Sequence, residues 1–201
     1  MPVTEIPIPV RALLCFLLGS IPFAVLAMRG SGIDILRAGS RNPGFNNVLR
    51  YSKRRAMVTL AGDLGKGFLA IWLLYAPSEP IALGWLFGIS AILGHCYSPW
   101  LKFNGGKGIA TSAGVMLVLY PPWAAICLVV FAALRITGGK LKWVEAGTIA
   151  SLSSWLLFTC LMLAFQTRTD TFHAGLTTLF LAWRHKSNFR ILANARHVHA
   201  R

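Results

Sequence analysis

The chain has 201 residues, 55% of them hydrophobic and only 13% charged, with a formal net charge of +14. Its apolar residues gather into runs too long for the core of a soluble domain, which excludes an aqueous globular protein and indicates a polytopic membrane protein. Most of the positive charge falls between those runs, so anionic headgroups and anionic substrates are the expected partners, not nucleic acid.

Residues 1–10 contain no basic residue and no small-residue cleavage site follows the apolar run 12–28, which therefore reads as a retained first span. Residues 29–55 hold Arg29, Arg37, Arg41, Arg50, Lys53, Arg54 and Arg55 against the single acid Asp34. The positive-inside rule puts this loop in the cytoplasm and the N-terminus outside.

The second run, 56–76, is interrupted by GDLGKG at 62–67. A charge at mid-membrane costs about 2.5–3.5 kcal/mol on insertion scales, so Asp63 and Lys66, three residues apart, are expected to pair or to face a wet cavity. The glycines would let a helix or a ligand approach the backbone. Residues 77–80 lack a basic side chain and suit the outer face. The third run, 81–100, returns the chain to the cytoplasm.

There follows FNGGKGIATS at 103–112. Gly105, Gly106 and Gly108 can turn backbone amides toward a ligand and Lys107 supplies a point charge, a combination suited to phosphate. No Ser or Thr follows either Gly-Lys pair, which disfavours a magnesium-nucleotide site. His95, near the membrane boundary, is a further possible substrate contact.

Hydropathy and charge disagree over 109–134. As one span it gives five spans in all and sends Arg135, Lys140 and Lys142 outward. As a hairpin turning at Tyr120, Pro121 and Pro122 it returns them inside, and a matching split near 166–170 gives seven spans with a cytoplasmic C-terminus. The seven-span, all-α transmembrane bundle is preferred, as a single domain over 1–201. Cys15, Cys96, Cys127 and Cys160 are scattered through apolar runs and read as small core residues.

Two more polar clusters complete the set. GSRNPGFNNVLR at 39–50 offers Ser40 and Asn42 for a hydroxyl or phosphate, and Arg50 for bidentate phosphate binding. HKSNFR at 185–190 places His185 and Asn188 at helical i, i+3 spacing. No HExxH, GxSxG or carboxylate dyad occurs, and nothing calls for a metal or cofactor.

In their order these clusters resemble the bacterial integral-membrane acyl-phosphate:glycerol-3-phosphate acyltransferases. The resemblance rests on GSIP at 19–22, the 39–50 segment, D-x-x-KG at 63–67, the 94–114 segment and H-x-x-N at 185–188, and it covers essentially the whole chain. It implies an inner-membrane enzyme with a cytoplasmic site that passes a fatty acyl group from acyl phosphate to glycerol 3-phosphate, giving lysophosphatidate and phosphate. Ser40 and Arg50 would be essential, with His185 and Asn188 completing the acceptor site. Asn42, Asn47, Lys66, Gly67, His95, Gly105, Gly106, Lys107 and Gly108 would bind substrate or phosphate. Arg41, Phe45 and Asn46 stand where the family usually has Gly, Ala and Thr, and Glu145 falls where it has a substrate serine. Glu145 is expected to need Lys140 or Lys142 as a counter-ion. A phosphometabolite transporter and a non-catalytic lipid-binding relative are the alternative readings.

Overall fold

The computed structural model describes residues 2–199, with side chains through residue 195, and within them the regular structure is entirely helical. The helices are α1 (Ile8–Ser20), α2 (Phe23–Met28), α3 (Phe45–Val48), α4 (Lys53–Leu74), α5 (Ile81–Cys96), α6 (Ile109–Leu119), α7 (Pro121–Lys140), α8 (Ala146–Phe165), α9 (Arg168–Arg184) and α10 (Lys186–His199). The chain divides into two compact units, Met1–Pro121 and Pro122–Arg201. Among the described residues five stretches are long and apolar enough to cross a membrane: Ile8–Met28, Lys53–Leu74, Ile81–Leu101, Pro121–Lys140 and Ala146–Phe165.

One expectation changes. The first apolar run is not one helix, because Ile21 leaves the helical region at ψ 121° and Pro22 has no N–H with which to continue the ladder. The preferred break at Tyr120 to Pro122 is present, and the long helix starts at Pro121 instead of running over 109–134. Tyr120 leaves helical geometry and α7 begins on the Pro121-Pro122 pair, which suits a first turn whose N–H groups have no intrahelical partner. The anticipated second break also exists: α8 ends at Phe165, and Thr167 with Asp170 forms a reciprocal capping box that starts α9.

In the first unit, α1 crosses α5 and α4 crosses α6 with backbones in contact. A Cβ on Gly19 would lie 2.0 Å from the Ala91 carbonyl oxygen, and one on Gly94 would lie 2.0 Å from that of Phe16. The second crossing repeats the device, with Gly67 against the Thr111 carbonyl at 2.1 Å and Gly114 against that of Leu64 at 2.0 Å. Lipid gives helices no hydrophobic reason to associate, so close approach at small residues supplies the attraction through dispersion.

The two ends of this unit are built differently. At one end Arg11, almost fully buried, donates to both carboxylate oxygens of Glu79 at 2.7 and 2.8 Å, and also reaches the Leu74 carbonyl at 3.3 Å. The Phe87 ring lies 4.9 Å from the guanidinium carbon. Glu79 also accepts from the Ala76 N–H, closing the short connection between α4 and α5. The arginine's hydrogen bonds hold the Glu79 carboxyl below its usual range, against the upward push of burial. At the other end Arg55 donates to the carbonyls of Ala27 and Arg29, and Ser52 caps α4. The 39–50 segment is pinned there by an apolar cluster of Ala24, Met28, Ile35, Val48 and Ala56.

In the second unit α8 packs on α9 along small and hydroxyl residues. Thr159 and Thr178 hydrogen-bond at 2.8 Å, while Ala150, Met162, Ala174 and Leu181 are buried. Trp123 of α7 stacks on Phe165 of α8 at 4.9 Å between ring centroids.

Replacing Gly67 or Gly94 by Leu forces two backbones apart and is expected to destabilise by about 2–3 kcal/mol or more, read as a lowered Tm in detergent, whereas Gly65→Ala, with open space around it, leaves Tm nearly unchanged. Glu79→Gln strands a buried arginine and is expected to cost on the order of 3 kcal/mol near neutral pH. Because the folded carboxyl titrates below the unfolded one (about 4.3), its contribution is whole above that value and disappears as pH falls through the folded value. The Tm gap between the protein and Glu79→Gln should therefore close in acid; a gap independent of pH would disprove the pairing's role.

Candidate active site

The 39–50 segment is held in shape by Asn47. Its Oδ1 accepts the Ser40 backbone N–H at 2.9 Å, and its Nδ2 donates to the carbonyls of Ile35 and Ala38 at 3.2 and 3.0 Å. Buried and so engaged, Asn47 organises the loop and is not presented to a substrate as expected. The side chains of Ser40 and Arg50 are exposed, and Asn42 is half-buried. The Arg50 stem lies beside Gly39, 3.4 Å from where a Cβ would sit, so its charge is anchored next to Ser40. Gly39 and Arg41 both have left-handed backbones, at φ +57° and +58°. A non-glycine residue in that conformation, as Arg41 is, stores on the order of 1 kcal/mol of strain.

Asp63 and Lys66 form the expected ion pair at 2.8 Å, both buried. Lys66 also donates to the Ile21 carbonyl at 2.8 Å, satisfying a group exposed by the break at Pro22. Lys66 is thus bound to protein rather than offered to phosphate. Gly67 is enclosed at the α4–α6 crossing and has no open face for a ligand. Its glycine is required by packing.

The glycine loop also departs from the simple cradle. The Gly105 and Gly106 amides donate to the carbonyls of Cys96 and His95, each at 3.1 Å, folding the loop back onto the end of α5. A Cβ on Gly105 would lie 2.0 Å from the His95 carbonyl oxygen, and one on Gly106 would lie 2.2 Å from the His95 Nε2 and 3.1 Å from the Pro43 carbonyl. These two glycines allow contact between the loops and do not aim amides at a ligand. Gly108 is the N-cap of α6 at φ +90°, a conformation natural to glycine, and Lys107 precedes it, half-buried. The anion-attracting end is therefore Lys107 with the first turn of α6.

Two features have little or no signal in the sequence. Ser98 donates to the Ser20 carbonyl at 2.6 Å and Trp100 to the Ser20 hydroxyl at 2.9 Å, tying the GSIP segment to the end of α5. His95 Nδ1 stands 3.5 Å from Asp63 Oδ1. Only serines beside the proline breaks hint at the first, and nothing in the spacing hints at the second.

In the second unit His185 is buried and is the C-cap of α9, so the His185 and Asn188 pair straddles a helix junction and does not share one helix. The Asn188 N–H donates to the His185 carbonyl at 2.8 Å, and His185 Nδ1 meets the Leu181 carbonyl at 2.8 Å. Glu145, in left-handed conformation at the N-cap of α8, accepts from Thr148 Oγ1 at 2.8 Å and from Asn188 Nδ2. Among the described residues it forms no ion pair with Lys140 or Lys142; two neutral donors hold the carboxylate instead.

A family model described as glycerol-3-phosphate acyltransferase matches residues 10–195. The glycerol-3-phosphate acyltransferase of Pseudomonas savastanoi pv. phaseolicola is 41% identical over 191 residues, 94% of this chain and 95% of the relative. That of Pseudomonas aeruginosa PAO1 is 40% identical over 194 residues, covering 94% and 97%. Crystal structures of PlsY (YgiH), an integral membrane glycerol 3-phosphate acyltransferase, superpose with TM-scores of 0.81 in the glycerol 3-phosphate form and 0.79 in the lysophosphatidic acid form. Each is 27% identical and covers 94% of this chain and 93% of its own. By the family model, the curated relatives and the shared helical architecture, this chain belongs to the glycerol-3-phosphate acyltransferase family, as a PlsY-type integral membrane member.

Proposed function

We propose that this protein transfers a fatty acyl group from acyl phosphate to the 1-hydroxyl of glycerol 3-phosphate, giving lysophosphatidate and inorganic phosphate in phospholipid synthesis. The observation that carries the reading is the meeting of two loops far apart in sequence. The Ser40 and Arg50 loop reaches the glycine loop where Pro43 abuts Gly106, so the exposed serine and arginine and the cationic start of α6 belong to one end of the first unit. Four elements with affinity for phosphate or hydroxyl groups in that region suit two phosphorylated substrates.

In this reading Arg50 and Ser40 hold the acceptor, while Lys107 and the first turn of α6 hold the phosphate of the donor, with Asn42 and His95 beside them. The acceptor oxygen forms its bond to the acyl carbon as the acyl–phosphate bond breaks. The hydroxyl proton leaves with the phosphate, which departs as an already activated group, so no strong protein base is needed. Orientation and the local positive charge carry the acceleration. His185 and Asn188 are assigned to acceptor recognition, with residues 1–201 acting as one acyltransferase domain. The arrangement proposed in the membrane is seven spans with the N-terminus outside and the C-terminus and site cytoplasmic in a bacterial inner membrane; the breaks at Tyr120 and Gln166 support it.

Purified protein in lipid is expected to yield lysophosphatidate and phosphate in equal amounts from acyl phosphate and glycerol 3-phosphate, without coenzyme A or added metal. Acyl-coenzyme A should not replace the donor. Ser40→Ala and Arg50→Ala are each expected to lower kcat/KM by about 100-fold or more with Tm retained. No product from the unaltered protein, or normal turnover in both variants, would refute the reading. Asn47→Ala, which removes three hydrogen bonds to backbone groups and leaves the Ala38 carbonyl only its bond from the Arg41 N–H, is expected to lower activity and Tm together, by on the order of 2 kcal/mol in stability.

A further inference from the structure

Asp63, Lys66 and His95 are 3%, 4% and 7% exposed, and a single oxygen links them: Asp63 Oδ1 is 2.8 Å from Lys66 Nζ and 3.5 Å from His95 Nδ1. An aspartate and a lysine three residues apart on one helix already offset the membrane's charge penalty. A histidine from a second helix adds nothing to that balance and has to be explained separately. Lys66 is turned away from it by the Ile21 carbonyl, with the Phe23 ring 5.9 Å off. The far edge of the imidazole faces the loop junction, where a Cβ added at Gly106 would stand only 2.2 Å from Nε2. Asp63, Lys66, His95, Pro43, Gly106 and Ser98 line one recess.

We propose that Asp63 is a positioning residue for His95: its carboxylate, in charge contact with Nδ1 at 3.5 Å and not in a formed hydrogen bond, favours the proton on Nδ1 and the present plane of the ring, so that Nε2 is directed to the junction of Pro43 and Gly106. This rests on the acyltransferase reading for its kinetic consequence. Lys66 is the counter-charge of Asp63, and its bond to the Ile21 carbonyl ties that pair to the break between α1 and α2. Asp63 acts through the ring and does not touch substrate. A ring fixed by a carboxylate on one nitrogen has its tautomer set for whatever the other nitrogen meets.

The test is a double-mutant cycle with an activity-independent readout. Asp63→Asn and His95→Gln are each expected to lower kcat about 10-fold or more with KM for glycerol 3-phosphate changed less than about 2-fold, and the double variant should be no slower than His95→Gln alone. Losses that multiply overturn the proposal. Asp63→Asn leaves Lys66 without a counter-ion, so Asp63→Asn is also combined with Lys66→Met, where the helix carries neither charge, and adding His95→Gln to that pair is expected to give no loss beyond that of His95→Gln alone. Nitrogen-15 spectra of labelled histidine, assigned by difference against His95→Gln, should show a proton on Nδ1 of His95 and its redistribution in Asp63→Asn. A ring protonated only at Nε2 overturns the proposal even in a protein with no turnover. An inactive protein with the expected spectra would instead refute the acyltransferase reading alone.

Discussion

Four glycines set how closely the helices of the first unit approach, because in each case the facing atom is a backbone carbonyl that has nowhere to move. Gly19 and Gly94 join α1 to α5, and Gly67 and Gly114 join α4 to α6. With side chains at these positions the axes would separate by the width of a methyl group or more. Gly106 makes a further close contact, seated against the His95 imidazole. The polar site is built at the spacing that glycine permits, so packing and chemistry are set by one constraint.

That spacing also makes buried charge tolerable. Lys66 and Asp63 neutralise each other, and Lys66 reaches the carbonyl exposed where Pro22 interrupts the first apolar run. Arg11 and Glu79 do similar work at the other end, where both guanidinium arms meet both carboxylate oxygens. Each pair closes a place at which the helical backbone or the hydrophobic pattern is broken. The loops between them can then stay polar without opening the bundle to lipid.

The second unit handles the charge at Glu145 differently. Glu145 is held by a threonine hydroxyl and an asparagine amide, so neither nearby lysine is needed to neutralise it in the fold. The same bond engages Asn188, linking the start of α8 to the start of α10. Glu145 is thereby built into the local geometry of the H-x-x-N motif.

By itself the sequence determined the all-helical membrane class, the exposed Ser40 and Arg50 loop, the Asp63 and Lys66 pair and the breaks at Tyr120 and Gln166, because apolar length, proline and i, i+3 spacing are local properties. The roles of Asn47, Lys66, Gly67, Gly105 and Gly106 were not legible in the same way. A polar residue or glycine near a phosphate motif looks alike whether it meets ligand or backbone, and only the fold showed these five meeting backbone. The approach of Asp63 to His95 belongs to the same class. It joins α4 to α5, and no pattern along a single helix encodes a distance to another.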